Sequence, residues 1–257
     1  MNRIRSLFEQ KEKDILSFYC TAGYPRLEDT LPVLKALQAA GANMIEIGIP
    51  FSDPLADGPV IQESSAVALA NGMNLAELFR QLKDVRKEIG IPLILMGYLN
   101  PLLQYGVSRF CRDAAACGID GLIIPDLPLE EYRREWQHNT EAYGLDMIFL
   151  VTPFTSQERL REIDDCSTGF IYMVTAAGTT GGSIGSDPET HRYFSFIRDQ
   201  QLKHPVMAGF GIRDKTGFEQ VCAFAQGAIV GSGLIRVLQE YPAKGEPVIR
   251  EFVQSFL

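Results

Sequence analysis

The chain is poor in the residues that build metal sites and disulfides. Its five cysteines are odd in number and include no C-x-x-C pair. Its three histidines lack the spacing of zinc ligands. We therefore expect free thiols, as in a reducing cytosol, and no bound metal.

Long apolar runs and an excess of positive charge are also absent. No run of about 18 apolar residues occurs, and the first residues lack the apolar core of a signal peptide. The formal net charge of −8 disfavours general binding to nucleic acid or to an anionic membrane. The sequence predicts a soluble, cytoplasmic protein, and it leaves open a small anion held by backbone amides.

Short apolar segments alternate with amphipathic helical patterns along the chain. Strand–helix alternation implies parallel strands with right-handed crossovers, and continuous apolar runs are typical of strands buried on both faces. Eight units within 257 residues predict an α/β protein of the (β/α)8 TIM barrel class, with one domain over residues 1–257. An extra N-terminal helix is predicted near residues 4–12. The predicted strands are residues 15–20, 44–49, 92–98, 121–125, 147–151, 170–174, 205–208 and 227–230.

Local signals predict where several helices begin and end. Asn74 precedes Glu77 by three residues, and Thr155 and Thr216 each open an S/T-x-x-E pattern. A helix is therefore predicted to start at each of these three positions. Gly41 is expected to end an earlier helix.

The stretch from Met44 to Ile61, MIEIGIPFSDPLADGPVI, organises the rest of the chain. An apolar strand-like run carries Glu46, and a loop broken by prolines and a glycine carries Asp57. Apolar neighbours deprive Glu46 of solvation, so its pKa is expected to rise, as suits a proton shuttle near neutral pH. Asp57 is expected to keep more water and stay ionised, which separates acid and base roles. The alternative is a solvated glutamate at a strand edge, followed by an ordinary polar turn.

Glycine-rich turns follow the last three predicted strands, at residues 178–182, 209–211 and 231–233. In this barrel class the chemistry lies at the carboxyl ends of the strands, and phosphate sites commonly follow the last two. A helix that opens near Ser232 offers free N–H groups and a hydroxyl. Neither a dinucleotide-binding fingerprint nor a P-loop is present, so we expect a phosphorylated metabolite rather than a nucleotide. Tight strand-to-helix turns without a ligand are the alternative.

Residues 176–186 are rich in glycine and almost free of apolar anchors. They are interpreted as a lid that closes over the substrate, with Thr180 able to reach a catalytic carboxylate. A plain surface loop is the alternative.

Aromatic side chains at the predicted strand ends either line a flat apolar pocket or belong to the barrel core. They are Tyr19, Tyr98, Tyr172 and Phe210.

The segment from Glu46 to Pro59, EIGIPFSDPLADGP, resembles the signature of the tryptophan synthase alpha chain, and the similarity extends over essentially the whole sequence. The resemblance implies a (β/α)8 barrel that cleaves indole-3-glycerol phosphate into indole and glyceraldehyde 3-phosphate without a cofactor. It implies that the catalytic acids are Glu46 and Asp57. The phosphate contacts that it implies are Gly181, Gly211, Gly231 and Ser232. The pocket residues that it implies are Tyr19, Ile61, Tyr98 and Tyr172.

One departure from the family pattern lies in the lid. The family's loop often reads S-R-x-G-V-T-G, whereas Thr175 to Gly181 read T-A-A-G-T-T-G, with Ala176 in place of the arginine. Lid closure and its coupling to a partner are therefore expected to differ, while the chemistry at Glu46 and Asp57 is not affected.

The resemblance further implies a partner, the tryptophan synthase beta chain, in an alpha2-beta2 heterotetramer. The loop before Asp57 carries apolar residues and a charge within a turn-like segment, which suits a contact surface. These residues are Phe51, Asp53, Pro54 and Leu55.

Two other functional classes remain open. A different phosphate-binding barrel enzyme, such as a sugar-phosphate isomerase, needs a lysine or a His–Glu pair at strand ends, and His204 stands before a predicted strand rather than after it. A catalytically silent barrel that serves as a binding subunit has no need of both Glu46 and Asp57.

Overall fold

Eight parallel strands form a closed barrel, as the alternating pattern predicts. The computed structural model describes residues 2–175, 188–209 and 211–257. Consecutive strands pair in parallel, and the last pairs with the first. The strands are β1 Ile15–Thr21, β2 Met44–Gly48, β3 Leu93–Met96, β4 Gly121–Ile123, β5 Asp146–Val151, β6 Ile171–Val174, β7 Val206–Gly209 and β8 Gly227–Val230.

Helices surround the barrel and connect its strands. The predicted ends at Asn74 and Gly41 are confirmed. Across the described residues, no helix is long and apolar enough to cross a membrane. The helices are α1 Arg3–Gln10, α2 Thr30–Ala40, α3 Pro59–Ala70, α4 Leu75–Leu82, α5 Leu99–Tyr105, α6 Val107–Ala116, α7 Leu129–Glu131, α8 Gln137–Tyr143, α9 Gln157–Cys166, α10 Pro188–Asp199, α11 Lys215–Cys222, α12 Ser232–Leu238, α13 Tyr241–Lys244 and α14 Glu246–Gln254.

The inside of the barrel is packed with side chains. Successive residues of a strand point to opposite faces, so alternate positions face inward. These side chains form one buried apolar cluster, and the outward positions join a second cluster beneath the helices. The inner cluster contains Ile15, Met44, Ile94, Ile123, Ile148, Phe170, Tyr172, Met207 and Ile229.

The N-terminal helix α1 covers the N-terminal end of the barrel. Ile4 is fully buried and belongs to the inner cluster. Arg3 donates a hydrogen bond of 2.9 Å to the carboxylate of Asp120, and Asn2 donates one of 2.6 Å to Asp146. Both carboxylates stand at the amino ends of strands. Leu7 and Phe8 also pack against the inner cluster, so apolar and polar contacts together fix α1.

The C-terminal helix α14 packs on the outside of the barrel, against α2 and α12. Phe18 of β1 contacts Phe252 and Phe256, with ring centroids 6.1 and 6.0 Å apart. The aromatic cluster therefore joins the end of the chain to the first strand.

Three helices, α3, α5 and the short α13, are not predicted by the sequence patterns. Pro54, Gly58 and Pro59 suggest a continuous loop, but Gly58 is the N-cap of α3 and Pro59 its first residue. Proline fits there because the first N–H groups of a helix have no intrahelical partner. Helix α5 likewise carries Pro101 in its first turn.

Two predicted helix starts need correction. The side chain that caps α9 is Ser156 rather than Thr155, and the one that caps α11 is Asp214 rather than Thr216. The capping oxygen lies one residue after the expected threonine in α9 and two residues before it in α11. Residues 129–143 are helical throughout, because a π-helical segment, Tyr132–Trp136, joins α7 to α8.

Candidate active site

A cavity of about 280 Å³ opens at the carboxyl ends of the strands. It gathers residues of β1, β2 and β6 and of the segments that follow β2, β7 and β8. The predicted site residues that line it are Tyr19, Glu46, Asp57, Ile61, Tyr172, Gly211, Gly231 and Ser232. Other lining residues, which the sequence patterns do not single out, include Val60, Met96, Ile212, Arg213, Ile229 and Arg236.

Two other clefts are larger than this cavity. One, of about 440 Å³, lies beside the loop after β2 and is lined by apolar residues such as Met73 and Tyr105. Another, of about 470 Å³, lies at the N-terminal end of the barrel beside α1. Among the residues that the structure describes, neither cleft is lined by a carboxylate. Because catalytic groups in this fold lie at the carboxyl ends of the strands, the cavity with Glu46 and Asp57 is the candidate active site.

Glu46 lies in the middle of β2, with its side chain fully buried. Its strand neighbours in register are Tyr19 of β1 and Ile94 of β3. Neither carboxyl oxygen has a hydrogen-bond partner among the described residues. Burial without a compensating charge raises the pKa of Glu46 to about 8. The carboxyl group is therefore mostly protonated at neutral pH and faces an open cavity, as the sequence predicts for a proton shuttle.

Asp57 is held in place by the segment that carries it and by a distant tyrosine. Its backbone N–H bonds the carbonyl of Pro54 at 3.0 Å, and the Gln62 amide of α3 donates to the Asp57 carbonyl at 2.8 Å. The Tyr98 hydroxyl donates to a carboxylate oxygen of Asp57 at 3.0 Å and accepts the Ala56 N–H at 3.0 Å. Tyr98 thus reaches the site through Asp57.

Asp57 is less solvated than a loop carboxylate is expected to be. Partial burial raises its pKa to about 6, and the hydrogen bond from Tyr98 opposes this rise. Asp57 is therefore ionised at neutral pH but closer to titration than the sequence suggests. The two carboxyl groups of one cavity have pKa values on opposite sides of 7.

Two tyrosine side chains extend across the carboxyl ends of neighbouring strands, where glycines leave room for them. A Cβ atom added to Gly48 of β2 would lie 2.0 Å from the hydroxyl oxygen of Tyr19, and one added to Gly209 of β7 would lie 2.0 Å from that of Tyr172. Burial raises the pKa of both phenols, so they remain neutral. Gly209, interpreted from sequence as part of a phosphate turn, is instead the last residue of β7 and makes space for Tyr172.

The glycines after β7 and β8 form the other end of the cavity. Gly211 adopts a left-handed backbone with φ of 77°. Gly231 is the N-cap of α12, and Ser232 is its first residue, so the first N–H groups of this helix lack intrahelical partners. A Cβ atom added to Gly231 would lie 3.6 Å from Ile61 and 3.7 Å from the Cβ of Tyr19, which are ordinary contacts. Packing within the protein therefore does not require glycine at position 231.

Three predicted site residues, Thr180, Gly181 and Phe210, lie outside the described residues, as does the predicted lid at residues 176–186. Within the described ranges, no group of three or more His, Cys, Asp or Glu side chains is arranged to hold a metal ion.

The sequence matches the family model of the tryptophan synthase alpha chain over residues 6–255. A tryptophan synthase alpha chain from Phocaeicola vulgatus is 53% identical over 255 residues, which cover 99% of each chain. One from Bacteroides fragilis is 52% identical over 240 residues, which cover 93% of this chain and 91% of the relative.

Solved structures give the same result. The tryptophan synthase alpha subunit of Legionella pneumophila is 37% identical with a TM-score of 0.90, and the match covers 100% of this chain and 97% of that one. A tryptophan synthase of M. tuberculosis in its aminoacrylate-bound form is 30% identical with a TM-score of 0.86, covering 100% and 98% of the two chains. The chain therefore belongs to the tryptophan synthase alpha chain family, the lyases of tryptophan biosynthesis that cleave indole-3-glycerol phosphate into indole and glyceraldehyde 3-phosphate.

Proposed function

We propose that Glu46 and Asp57 are the catalytic groups of this cleavage, with Glu46 as the acid and base that moves the protons and Asp57 as the anion that stabilises charge on the indole ring. The observation that carries the proposal is their contrast within one cavity. Glu46 is buried with no partner among the described residues and has a pKa of about 8, while Asp57 has a pKa of about 6. At neutral pH one group has a proton to give, and the other carries a negative charge.

The reaction is a retro-aldol cleavage, and each proton transfer in it is assigned to a named group. Protonated Glu46 gives its proton to C3 of the indole ring, which leaves positive charge on the ring nitrogen. Asp57 accepts a hydrogen bond from the ring N–H and stabilises that charge. The Glu46 carboxylate then takes the proton of the side-chain hydroxyl as the C–C bond breaks. The bonding electrons return to the ring, giving indole and an aldehyde, and Glu46 is protonated again.

The phosphate of the substrate is assigned to the glycine-rich end of the cavity. Gly211, Gly231 and Ser232 present backbone N–H groups and a hydroxyl there, and Gly181 is proposed to complete the set. The room left at Gly231 supports this assignment, because a glycine that packing does not demand keeps space free for a ligand.

The indole ring is assigned to the apolar part of the cavity. Tyr19, Ile61 and Tyr172 line it, and Tyr98 holds the Asp57 carboxylate that faces the ring nitrogen. We further propose that Thr180 and Phe210 contribute to this pocket. No cofactor takes part in the proposed steps.

A sugar-phosphate isomerase does not fit the positions of the titratable residues. His204 lies before β7, at the amino end of the strand, and its Nδ1 lies 3.0 Å from an Asp164 carboxylate oxygen. The two groups form a pair away from the cavity, so His204 serves packing rather than chemistry.

We also propose that the chain works in the cytoplasm with a tryptophan synthase beta chain, in an alpha2-beta2 tetramer. The family and the tryptophan synthase structure of M. tuberculosis support this proposal. So does the loop before Asp57, where the side chain of Leu55 is 91% exposed. Of the other expected contact residues, Asp53 is exposed, whereas Pro54 is buried and Phe51 is half-buried against Tyr98.

The proposal is tested by an indole-release assay on wild type, Glu46→Gln and a matched control, Glu63→Gln. Glu63 is an exposed carboxylate on α3, so its change is chemically identical but lies outside the cavity. Glu46→Gln is expected to lose about 10²–10⁴-fold in turnover, the usual size of general acid–base catalysis. A Glu46→Gln protein that keeps more than about a tenth of the wild-type rate excludes the assignment.

Thermal unfolding across pH shows whether the Glu46→Gln protein is folded and whether the Glu46 carboxyl is desolvated. The folded pKa of about 8 lies above the ordinary value of 4.5, so unfolding releases a proton between these pH values. The free energy of unfolding of wild type therefore falls as pH rises through this range. Glu46→Gln is expected to remain folded and to lose that part of the slope, whereas Glu63→Gln keeps it.

A further inference from the structure

The cavity contains two arginines that the steps above do not use. Arg213 lies after β7 and Arg236 lies in α12, and both line the cavity. Both are exposed, whereas Glu46 is fully buried, so the arginines stand at the rim and the acid at the floor.

These arginines also lack the partners that other arginines of the chain have. Among the described residues, neither Arg213 nor Arg236 forms an ion pair or a side-chain hydrogen bond. By contrast, Arg86 is paired with Asp120, and Arg159 with two glutamates. Two cations at the rim of one cavity, neither paired within the part of the chain that the structure describes, are available to bind an anion.

Each arginine belongs to a segment at the glycine-rich end of the cavity. Ser232 and Arg236 are four residues apart in α12, so they lie on the same face of the helix. A helical side chain leans toward the N-terminus of its helix, which directs Arg236 toward Ser232. Arg213 is two residues beyond Gly211 in the turn after β7. Both cations thus flank the segments proposed to hold the phosphate.

We propose that Arg213 and Arg236 recognise the phosphate of the substrate and draw it into the cavity. This inference rests on the proposed phosphate site and adds to it the side chains that supply positive charge. The backbone N–H groups fix the position of the phosphate, while the arginines set the rate of its capture and the preference for phosphorylated over neutral indole compounds.

The charge of the protein explains why such groups are needed. The chain has a formal net charge of −8, and Asp57 is an anion within the cavity itself above its pKa of about 6. A substrate with a phosphate dianion is repelled by both. Two cations at the rim reverse the local field over roughly one Debye length, about 8 Å at physiological salt. Guanidinium groups also match phosphate oxygens geometrically, with two parallel hydrogen bonds.

The test compares the double variant Arg213→Gln/Arg236→Gln with a control double variant, Arg5→Gln/Arg250→Gln. Arg5 and Arg250 are also exposed and form no ion pair with any described residue, and they lie in α1 and α14, away from the cavity. Each double variant removes two positive charges, which changes the net charge from −8 to −8 − 2 = −10. Both therefore repel anions equally at long range.

Calorimetric titrations with glycerol 3-phosphate and with indole separate the two halves of the substrate. The cavity variant is expected to lose about tenfold in affinity for glycerol 3-phosphate at low salt, and the control none. Indole binding is expected to be unchanged in both. The difference is expected to vanish at about 1 M salt, where the Debye length is about 3 Å. Equal glycerol 3-phosphate affinity in the cavity variant and the control overturns the inference.

Two more variants distinguish the effect of the positive charges from the location of the phosphate site. Arg213→Lys/Arg236→Lys keeps both charges and is expected to retain most of the affinity that the glutamine variant loses. Lysine variants as weak as the glutamine variants would show that charge is not the cause. Gly231→Val is expected to block the phosphate by bulk, because a Cβ atom at this position makes only ordinary contacts within the protein. If Gly231→Val binds glycerol 3-phosphate as wild type does, the proposed phosphate site itself is wrong, a failure that differs from failure of the arginines alone.

Discussion

Glu46 and Asp57 differ in how much of their behaviour can be predicted from sequence. The environment of Glu46 is local, because the isoleucines beside it in the chain belong to the same buried strand, so its raised pKa is predictable. The environment of Asp57 depends on Tyr98, which is 41 residues away in the chain. Sequence patterns do not reveal this contact, and for this reason Asp57 is more buried than its loop position suggests.

The same limit applies to the glycines at the strand ends. Gly48 and Gly209 are needed because tyrosines from β1 and β6 cross them, and each tyrosine belongs to a strand next in space. The sequence identifies both tyrosines as site residues. It does not identify the glycines that make room for them, because that requirement depends on the register of two strands.

The two pKa values predict a bell-shaped dependence of kcat/KM on pH. Asp57 must be ionised and Glu46 protonated in the free enzyme, so activity is expected to rise near pH 6 and fall near pH 8. Tyr98→Phe removes the hydrogen bond that lowers the Asp57 pKa, so the acid limb is expected to move to higher pH. The basic limb, which belongs to Glu46, is expected to stay in place.

Steady-state kinetics on wild type and Tyr98→Phe across pH check this expectation. The substrate phosphate also titrates near pH 6, but its pKa does not change with a protein substitution. A limb that moves therefore belongs to the protein. An acid limb at the same pH in both proteins would assign it to the phosphate and remove Asp57 from the profile.

At the scale of elements, strand positions are predicted better than helices. All eight strands occur within a few residues of their predicted places, because a fully buried strand appears as an uninterrupted apolar run. Helices α3 and α5 are missed because prolines in their first turns resemble loop signals. The consequence is functional, since α3 supplies the Gln62 amide that holds the Asp57 backbone.

Helix α1 allows a test of how the two ends of the barrel divide stability and activity. Ile4→Ala empties a fully buried position in the inner cluster and is expected to cost about 2–5 kcal/mol of unfolding free energy. The kcat/KM of the variant is expected to match wild type at temperatures where it is folded, because the cavity lies at the opposite end of the barrel. Leu7→Ala, at a partly buried position of the same helix, is the control and should cost less.

Urea denaturation and indole-release kinetics on the same preparations make this comparison. Loss of activity in folded Ile4→Ala protein would mean that the inner cluster transmits the change to Glu46. If the unfolding free energy of Ile4→Ala equals that of wild type, α1 does not stabilise the barrel through Ile4.

At the scale of the whole molecule, the candidate active site and the proposed partner surface share one loop. Leu55 is 91% exposed two residues before Asp57, and the backbone between them is tied to Tyr98 through the Ala56 N–H. Indole, the product, is small and apolar and crosses membranes, so direct transfer to a partner prevents its loss. A partner that binds this loop also restricts the position of Asp57. Restricting a catalytic loop raises the fraction of molecules that are competent for reaction.

Titration of the cognate beta chain into the alpha chain, while indole-3-glycerol phosphate cleavage is followed, tests this coupling. The rate is expected to rise to a plateau as the beta chain saturates the alpha chain. Leu55→Ser and Asp53→Ala are expected to need more beta chain to reach the plateau, because each removes an exposed contact before Asp57. Leu257→Ser, which changes a leucine that is 55% exposed at the C-terminus, is the matched control and should behave as wild type. The height of the plateau measures how much the beta chain activates the reaction through the loop that carries Asp57. A cognate beta chain that neither binds nor changes the rate would falsify the coupling, and equal titration curves for Leu55→Ser and Leu257→Ser would place the contact elsewhere.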